Sequence, residues 1–326
     1  MHHPETRARR GIRALGLLAT VGVAAAVAAG TTANLDARPV RRTMLHRVTT
    51  PVAPPPAANL LAFDSLIGRS GKLRALFVSR TKPAFAISAL EQLFGDSAVR
   101  TPGVYTVNDS GADRTFALIT MLPFSAKRKG RIGEYRIGYW PYERHPARST
   151  AYADPDGFIE VTPDNQETHV SEHFELRDFL THDQQDVWPK YLVLDERLID
   201  KLELVIEDLN AHGVPVTHLA VMSGFRTPQY NIKGVGEGGR ARDSRHQYGD
   251  AADVFVDDDG NGRMDDLNHD GRIDWRDARV IRDAVDRVEA AHPELVGGVG
   301  LYRATAAHGP FAHVDARGNR ARWGLG

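Results

Sequence analysis

The stretch "SRHQYGDAAD" (Ser244 to Asp253) sets a histidine and an aspartate seven positions apart, with one glycine and small alanines between them. Gly249 and the two alanines allow the backbone to fold tightly. The β-branched "VFV" that follows places Asp253 at the start of a strand. An imidazole on a loop and a carboxylate on the adjoining strand can reach one divalent cation. Such a site needs about three N/O donors from different elements, and keeps one position open for water when it is catalytic. His313 in "FAHVD" is the natural distant donor. Strand alternation turns His313 and Asp315 to one face, with Val314 opposite.

A second chemistry is written just downstream, in "DDDGNGRMDDLNHDGRIDWRD" (Asp257 to Asp277). It reads as two overlapping calcium loops nine residues apart. In the second, Asp266, Asn268 and Asp270 hold positions 1, 3 and 5, and Gly271 the sharp turn at 6. Arg272 offers its carbonyl at 7, and Asp277 closes at 12 in place of the usual glutamate. The first loop offers Asp257, Asp259 and Asn261, then Gly262 and Met264, and closes only through a shared Asn268. An acidic surface turn would explain neither the alternate spacing of the acids nor glycine at both sixth positions. The expected role is structural: oxygen-preferring cations would relieve carboxylate repulsion between the Asp253 strand and the next helix.

The elements that must position these groups fall in the C-terminal half. "LDERLIDKLELVIEDLNAHG" carries a helical stripe of Leu194, Leu198, Leu202, Val205, Ile206 and Leu209, which Gly213 ends. "RDARVIRDAVDRVEAAH" (Arg276 to His292) is a second amphipathic helix, and "VPVTHLAVM", "GVGLY" and "FAHVD" read as strands. Residues 170–326 are therefore an expected α+β domain, a small antiparallel sheet with flanking helices. Residues 59–169 read as a small mainly-β domain with strands at "VYTV", "TFALITML", "YRIGYW" and "GFIEV" and one short helix at "SALEQLFG". Its aromatic patch "GYWPYE" is either core or a binding surface.

Upstream, residues 34–58 form a polar, then proline-rich linker. Residues 1–33 combine "RARRGIR" with an apolar, alanine-rich run, the pattern of an export signal or an uncleaved N-terminal anchor. The expected location is therefore periplasm, cell wall or extracellular space. The 326 residues, 42% of them hydrophobic, suffice for a sizeable core, and a net charge of −1 gives no electrostatic reason to expect nucleic acid. The chain has no cysteine, which rules out disulfides, thiolate metal sites and cysteine nucleophiles.

These motifs together resemble the zinc peptidases of family M15, the D-Ala-D-Ala carboxypeptidases and murein peptidases. "SRHQYGDAAD" fits the family's S-x-H-x-x-G-x-A-x-D at Ser244, His246, Gly249, Ala251 and Asp253. "SGFR" (Ser223 to Arg226) matches its S-G-[YF]-R, "GVGLY", "HVD" and "RARW" its closing strands, and "HFELRDF" its usual domain start. The resemblance spans Val170 to Gly326 and leaves the β-rich segment uncovered. It implies that His246, Asp253 and His313 ligate zinc, and that Arg226 polarises the scissile carbonyl or holds a substrate carboxylate. Arg226 also has the plainer reading of a structural ion pair. Several relatives place the general base two or three residues before the last ligand, where this chain has Phe311 and Pro310. Asp315 is then the first candidate for the base, or else it orients a zinc ligand, and His308 is the second. The implied function is an exported zinc peptidase acting on peptidoglycan stem peptides or crosslinks. The alternative is a zinc-containing wall-binding or structural module that does not cleave.

Overall fold

The computed structural model describes residues 67–79, 87–109, 114–236 and 239–324. The expected export signal and proline-rich linker lie outside the described residues. Strand β1 (Ala75–Val78) leads to helices α1 (Ile87–Phe94) and α2 (Asp96–Arg100), then to β2 (Gly103–Asp109) and β3 (Arg114–Thr120). β3 is central in this sheet, parallel to β1 and antiparallel to β2. Short strands β4 (Leu122–Pro123), β5 (Arg131–Ile132) and β6 (Tyr135–Arg136) follow, then β7 (Gly157–Val161) and β8 (Lys190–Leu192). β7 pairs antiparallel with both β4 and β8.

Helix α3 (Glu196–Ala211) is capped by Asp195, whose side chain accepts from the Arg197 amide at 2.9 Å. It buries the expected leucine and valine stripe, and it also buries Lys201, at the stripe's edge, and Glu203, beyond it. Strand β9 (Leu219–Ser223), helix α4 (Pro228–Ile232) and strand β10 (Ala251–Val256) come next. Helix α5 (Trp275–Ala291), then β11 (Gly298–Tyr302), β12 (Phe311–Asp315) and β13 (Ala321–Gly324) complete the described elements. The five-stranded sheet runs β13-β11-β12-β10-β9. Its pairs are antiparallel except the edge pair β11–β13. α5 packs across β11 and β12 and against α3.

The fold mixes helices with small sheets, broadly compatible with the expected α+β class. Two element assignments need correction. "YRIGYW" yields only the two-residue β6, because Gly138 turns left-handed (φ 86) where its Cα passes the Gln229 backbone. A Cβ there would sit 2.7 Å from the Gln229 nitrogen. "VPVTHLAVM" becomes strand only from Leu219, since Val214 and Val216 instead follow the helix end, bonded to Leu209 and Asn210.

The boundary drawn at residue 170 is crossed by the β7–β8 ladder and by the main apolar cluster. That cluster runs from Leu73, Ile119, Trp140 and Phe158 to Leu202, Val254, Ile281 and Val314. A smaller cluster gathers Leu90, Leu93, Phe94, Val99 and Phe116 under the first sheet. All described residues fall within one unit, Val48–Gly326. Among them no helix is long and apolar enough to cross a membrane.

Candidate metal centre

His246 sits on a single 3-10 turn, Arg245–Tyr248, between Ser244 and Gly249. Gly249 ends the turn in the left-handed region at φ 73. A Cβ at this position would lie 2.3 Å from the Val193 carbonyl oxygen, so only glycine fits between turn and neighbouring backbone. Two residues later β10 begins, and Asp253 lies directly opposite His313 on β12 and Ser223 on β9. The β9–β10 register shifts between Asp253 and Val254, next to the carboxylate. The loop and two central strands thus deliver three side chains to one point.

Three donor atoms face one another there. His246 Nε2 is 3.2 Å from Asp253 Oδ1 and 3.1 Å from His313 Nδ1, and His313 Nδ1 is 2.9 Å from Asp253 Oδ1. Two nitrogen or oxygen donors at about 2.0–2.1 Å from one tetrahedral ion stand roughly 3.3 Å apart, so the triangle has close to the size a zinc ion requires. All three residues are buried. The outer ring atoms are also committed. His246 Nδ1 meets the Gly224 carbonyl at 2.7 Å, which fixes a proton there and leaves the Nε2 lone pair pointing inward. His313 Nε2 faces Asp315 Oδ2 at 3.2 Å, which leaves Nδ1 inward.

The electrostatics follow from this packing. Burial pushes the His246 imidazole down to about 4, so the ring is neutral near pH 7. Burial would raise the Asp253 carboxyl, but His246, His313 and Arg226 outweigh it and hold the group well below the usual carboxylate range. Burial would lower His313, yet its bonds to Asp253 and Asp315 win and raise it.

Arg226 joins the centre from the "SGFR" turn. Its amide donates to the His246 carbonyl at 3.0 Å and its Nε to Ser223 Oγ at 2.8 Å, while the guanidinium pairs with Asp253 Oδ2. The same side chain lines the open cleft beside the donors, so its ion-pair and substrate-facing readings share one position.

Asp315 lies on the far side of the His313 ring from the other donors and is fully buried. Its carboxylate accepts from the Gly298 amide at 2.7 Å, from the Arg317 amide at 3.1 Å, and from Arg317 Nε at 2.8 and 2.9 Å. It does not line the cleft. Of its two expected roles, the placement favours orienting the His313 ring, since the carboxylate faces that ring and not the cleft. His308 does line the cleft, with its Nδ1 2.8 Å from the Gly309 carbonyl and its ring 5.0 Å from Phe311.

The cleft has a volume of about 1350 Å³. One wall is aromatic, built from Tyr302, Phe311 and Trp323, whose ring lies 5.1 Å from that of His313. The other carries Tyr142, Arg148 and Tyr152 from the β-rich segment, which the motif-bearing half alone did not announce.

The downstream acidic segment folds as two copies of one turn. In each, the first aspartate accepts from the fifth and sixth amides: Asn261 and Gly262 on Asp257, Asp270 and Gly271 on Asp266. Both sixth-position glycines are left-handed, at φ 77 and 80, as are the fourth positions, Gly260 and His269. Asp257, Asp259 and Asp265 bring carboxylate oxygens within 4.8 Å of one another. Asp265, and not the expected Asn268, is the third residue whose side chain joins this group. The missed signal is an aspartate at the ninth position of each copy, Asp265 and Asp274. Asp277 accepts from the Leu267, Asn268 and Asp274 amides and caps α5, so both its oxygens are engaged by backbone rather than turned to Asp270. Asn261 Nδ2 donates to Asp259, and the Arg272 amide donates to Asp270.

No family model, curated protein or solved structure matches this chain.

Proposed function

We propose that this chain is an exported zinc peptidase of the M15 kind, hydrolysing an amide beside a D-amino acid in peptidoglycan stem peptides or crosslinks. The observation that carries the reading is the inward-facing triangle of His246 Nε2, Asp253 Oδ1 and His313 Nδ1 at the floor of an open cleft. When bound there, zinc supplies Lewis acidity, lowering the pKa of a water toward neutrality and steadying developing oxyanion charge. The chain's own residues do the remainder. Gly224 and Asp315 fix which nitrogen of each imidazole is free. Arg226 holds Asp253 and presents the rest of its fork to the cleft, where a carbonyl oxygen or terminal carboxylate suits a planar guanidinium. The aromatic wall excludes water from one side of the bound peptide. Asp257, Asp259 and Asp265 would hold calcium on the link from β10 to α5, and the second turn, of the same backbone form, would add to it.

Two observations favour the non-cleaving alternative. Phe311 occupies a position where relatives carry a base, and Asp315 is turned behind His313. Incubating the purified zinc-loaded protein with peptidoglycan and analysing the fragments by mass spectrometry decides between them. Release of D-alanine or of uncrosslinked stem peptides, lost in His246→Ala, is the expected result. Zinc bound stoichiometrically with the polymer left intact would establish the non-cleaving module instead.

A further inference from the structure

The turn that carries His246 is gripped from outside by the segment Ile137–Tyr152, which lies before the motif-bearing half of the chain. Trp140 Nε1 donates to the Gln247 carbonyl at 2.8 Å. Arg245 donates to the Ala151 carbonyl, and its guanidinium lies 4.8 Å from the centre of the Tyr152 ring. Tyr142 donates from its hydroxyl to Asp243 Oδ2 at 2.8 Å. Three alternate residues, Asp243, Arg245 and Gln247, are thus tied to this segment. His246, which lies between two of them, is tied inward to Gly224 and Arg226.

Trp140 is itself fixed on every side. It is 3% exposed, with Phe124 edge-on at 5.4 Å and Phe158 at 6.0 Å. Lys127 Nζ lies 4.6 Å from the ring centroid, and Glu143 accepts the Trp140 amide at 3.0 Å. Gln247 is buried, so its carbonyl would be left unsatisfied without the indole N–H, and the turn would have to move to find another donor. A metal ligand tolerates about 0.5 Å of such movement before affinity suffers.

We infer that Ile137–Tyr152 is a positioning element for the metal centre, with Trp140 the residue that sets the His246 turn. The inference rests on His246 being a metal ligand, as proposed above, and gives the β-rich segment a part in the site. The test uses the full chain with two substitutions. Trp140→Phe keeps an aromatic ring but loses the donor, whereas Phe124→Leu loosens the same cluster and leaves the Trp140–Gln247 bond intact. Zinc affinity is read by competition with a chromophoric chelator. Trp140→Phe should weaken binding roughly 3- to 10-fold, the worth of one buried hydrogen bond. Phe124→Leu should lower the melting temperature at unchanged affinity. In the metal-free chain, exchange of the Arg226 amide, which donates to the His246 carbonyl, should quicken in Trp140→Phe alone. Equal exchange in wild type and Trp140→Phe, or zinc affinity that merely tracks melting temperature in both variants, overturns the positioning role. Faster Arg226 exchange in a chain that binds no zinc would overturn the metal reading and leave the mechanical link standing.

Discussion

Replacing Asp315 by asparagine separates orientation from proton transfer. The side chain keeps its size and one acceptor oxygen, but it loses its charge and gains two N–H donors. The Gly298 amide at 2.7 Å and the Arg317 fork demand the remaining acceptor, so the new amide nitrogen turns to His313 Nε2. That nitrogen must then accept, and the neutral imidazole carries its proton on Nδ1, the atom that faces His246 and Asp253. Zinc would have to reverse this tautomer before binding. Loss of such an orienting carboxylate lowers metal affinity about 10- to 100-fold, or roughly 1.4–2.7 kcal/mol. The fold also weakens. A charge-assisted bond is worth about 1.5–3 kcal/mol, and with the Arg317 side chain 20% exposed to solvent the lower end applies. Zinc affinity by chelator competition and turnover per zinc-loaded molecule are the paired measurements. Affinity should fall within that range while turnover at saturating zinc changes less than about 10-fold. A general base would instead cost about 10²–10⁴ in turnover. Unchanged affinity with turnover down more than about 100-fold would refute the placement argument and return Asp315 to the role of base.

A pH effect and a metal effect can be read from melting curves. The Glu203 carboxylate at 2.7 Å, against the pull of burial, raises the His173 imidazole above its ordinary 6.5. A raised folded value means this contribution is complete below pH 6.5 and fades as pH climbs through the higher value. Wild-type melting temperature should therefore decline over that window, and His173→Gln should flatten the slope; parallel slopes would discard the pair as the cause. Calcium should raise the melting temperature of the wild type, EGTA should reverse it, and Asp265→Asn should remove most of the shift from the first turn. A wild type indifferent to calcium and EGTA would retire the calcium reading.

Two corners of the metal triangle were legible because three residues of "SRHQYGDAAD" act locally: a turn histidine, the glycine that ends the turn, a strand aspartate. Strand alternation also gave the shared face of His313 and Asp315, but alternation specifies a face and not depth. The His313 ring stands between its neighbour's carboxylate and the other donors, which no periodicity could show. Asp265 was missed because the twelve-residue loop template sought its closing ligand at position 12 and passed over the aspartate at position 9. The buried Lys201, three residues after Leu198 and four before Val205, lies at the stripe's edge, but no periodicity names its partners there, Glu289 and the Asp315 carbonyl at 2.7 Å each. The segment from Gly138 to Tyr152 has no period to read. Its Trp140 is core, one of the two descriptions expected of the aromatic patch, while its Tyr139 is 46% exposed.

The apolar cluster that ignores residue 170 limits what can be borrowed from this chain. A module hung on a tether can be excised, fused or exchanged with little regard for what preceded it. Here, starting an expression clone at Val170 would strip Phe158 and Ile159 from the interior and expose the backbone edge of β8 that β7 covers. An uncovered strand edge beside bared apolar surface is a template for aggregation. The two halves are therefore a single unit of engineering, whatever their separate sequence textures suggest.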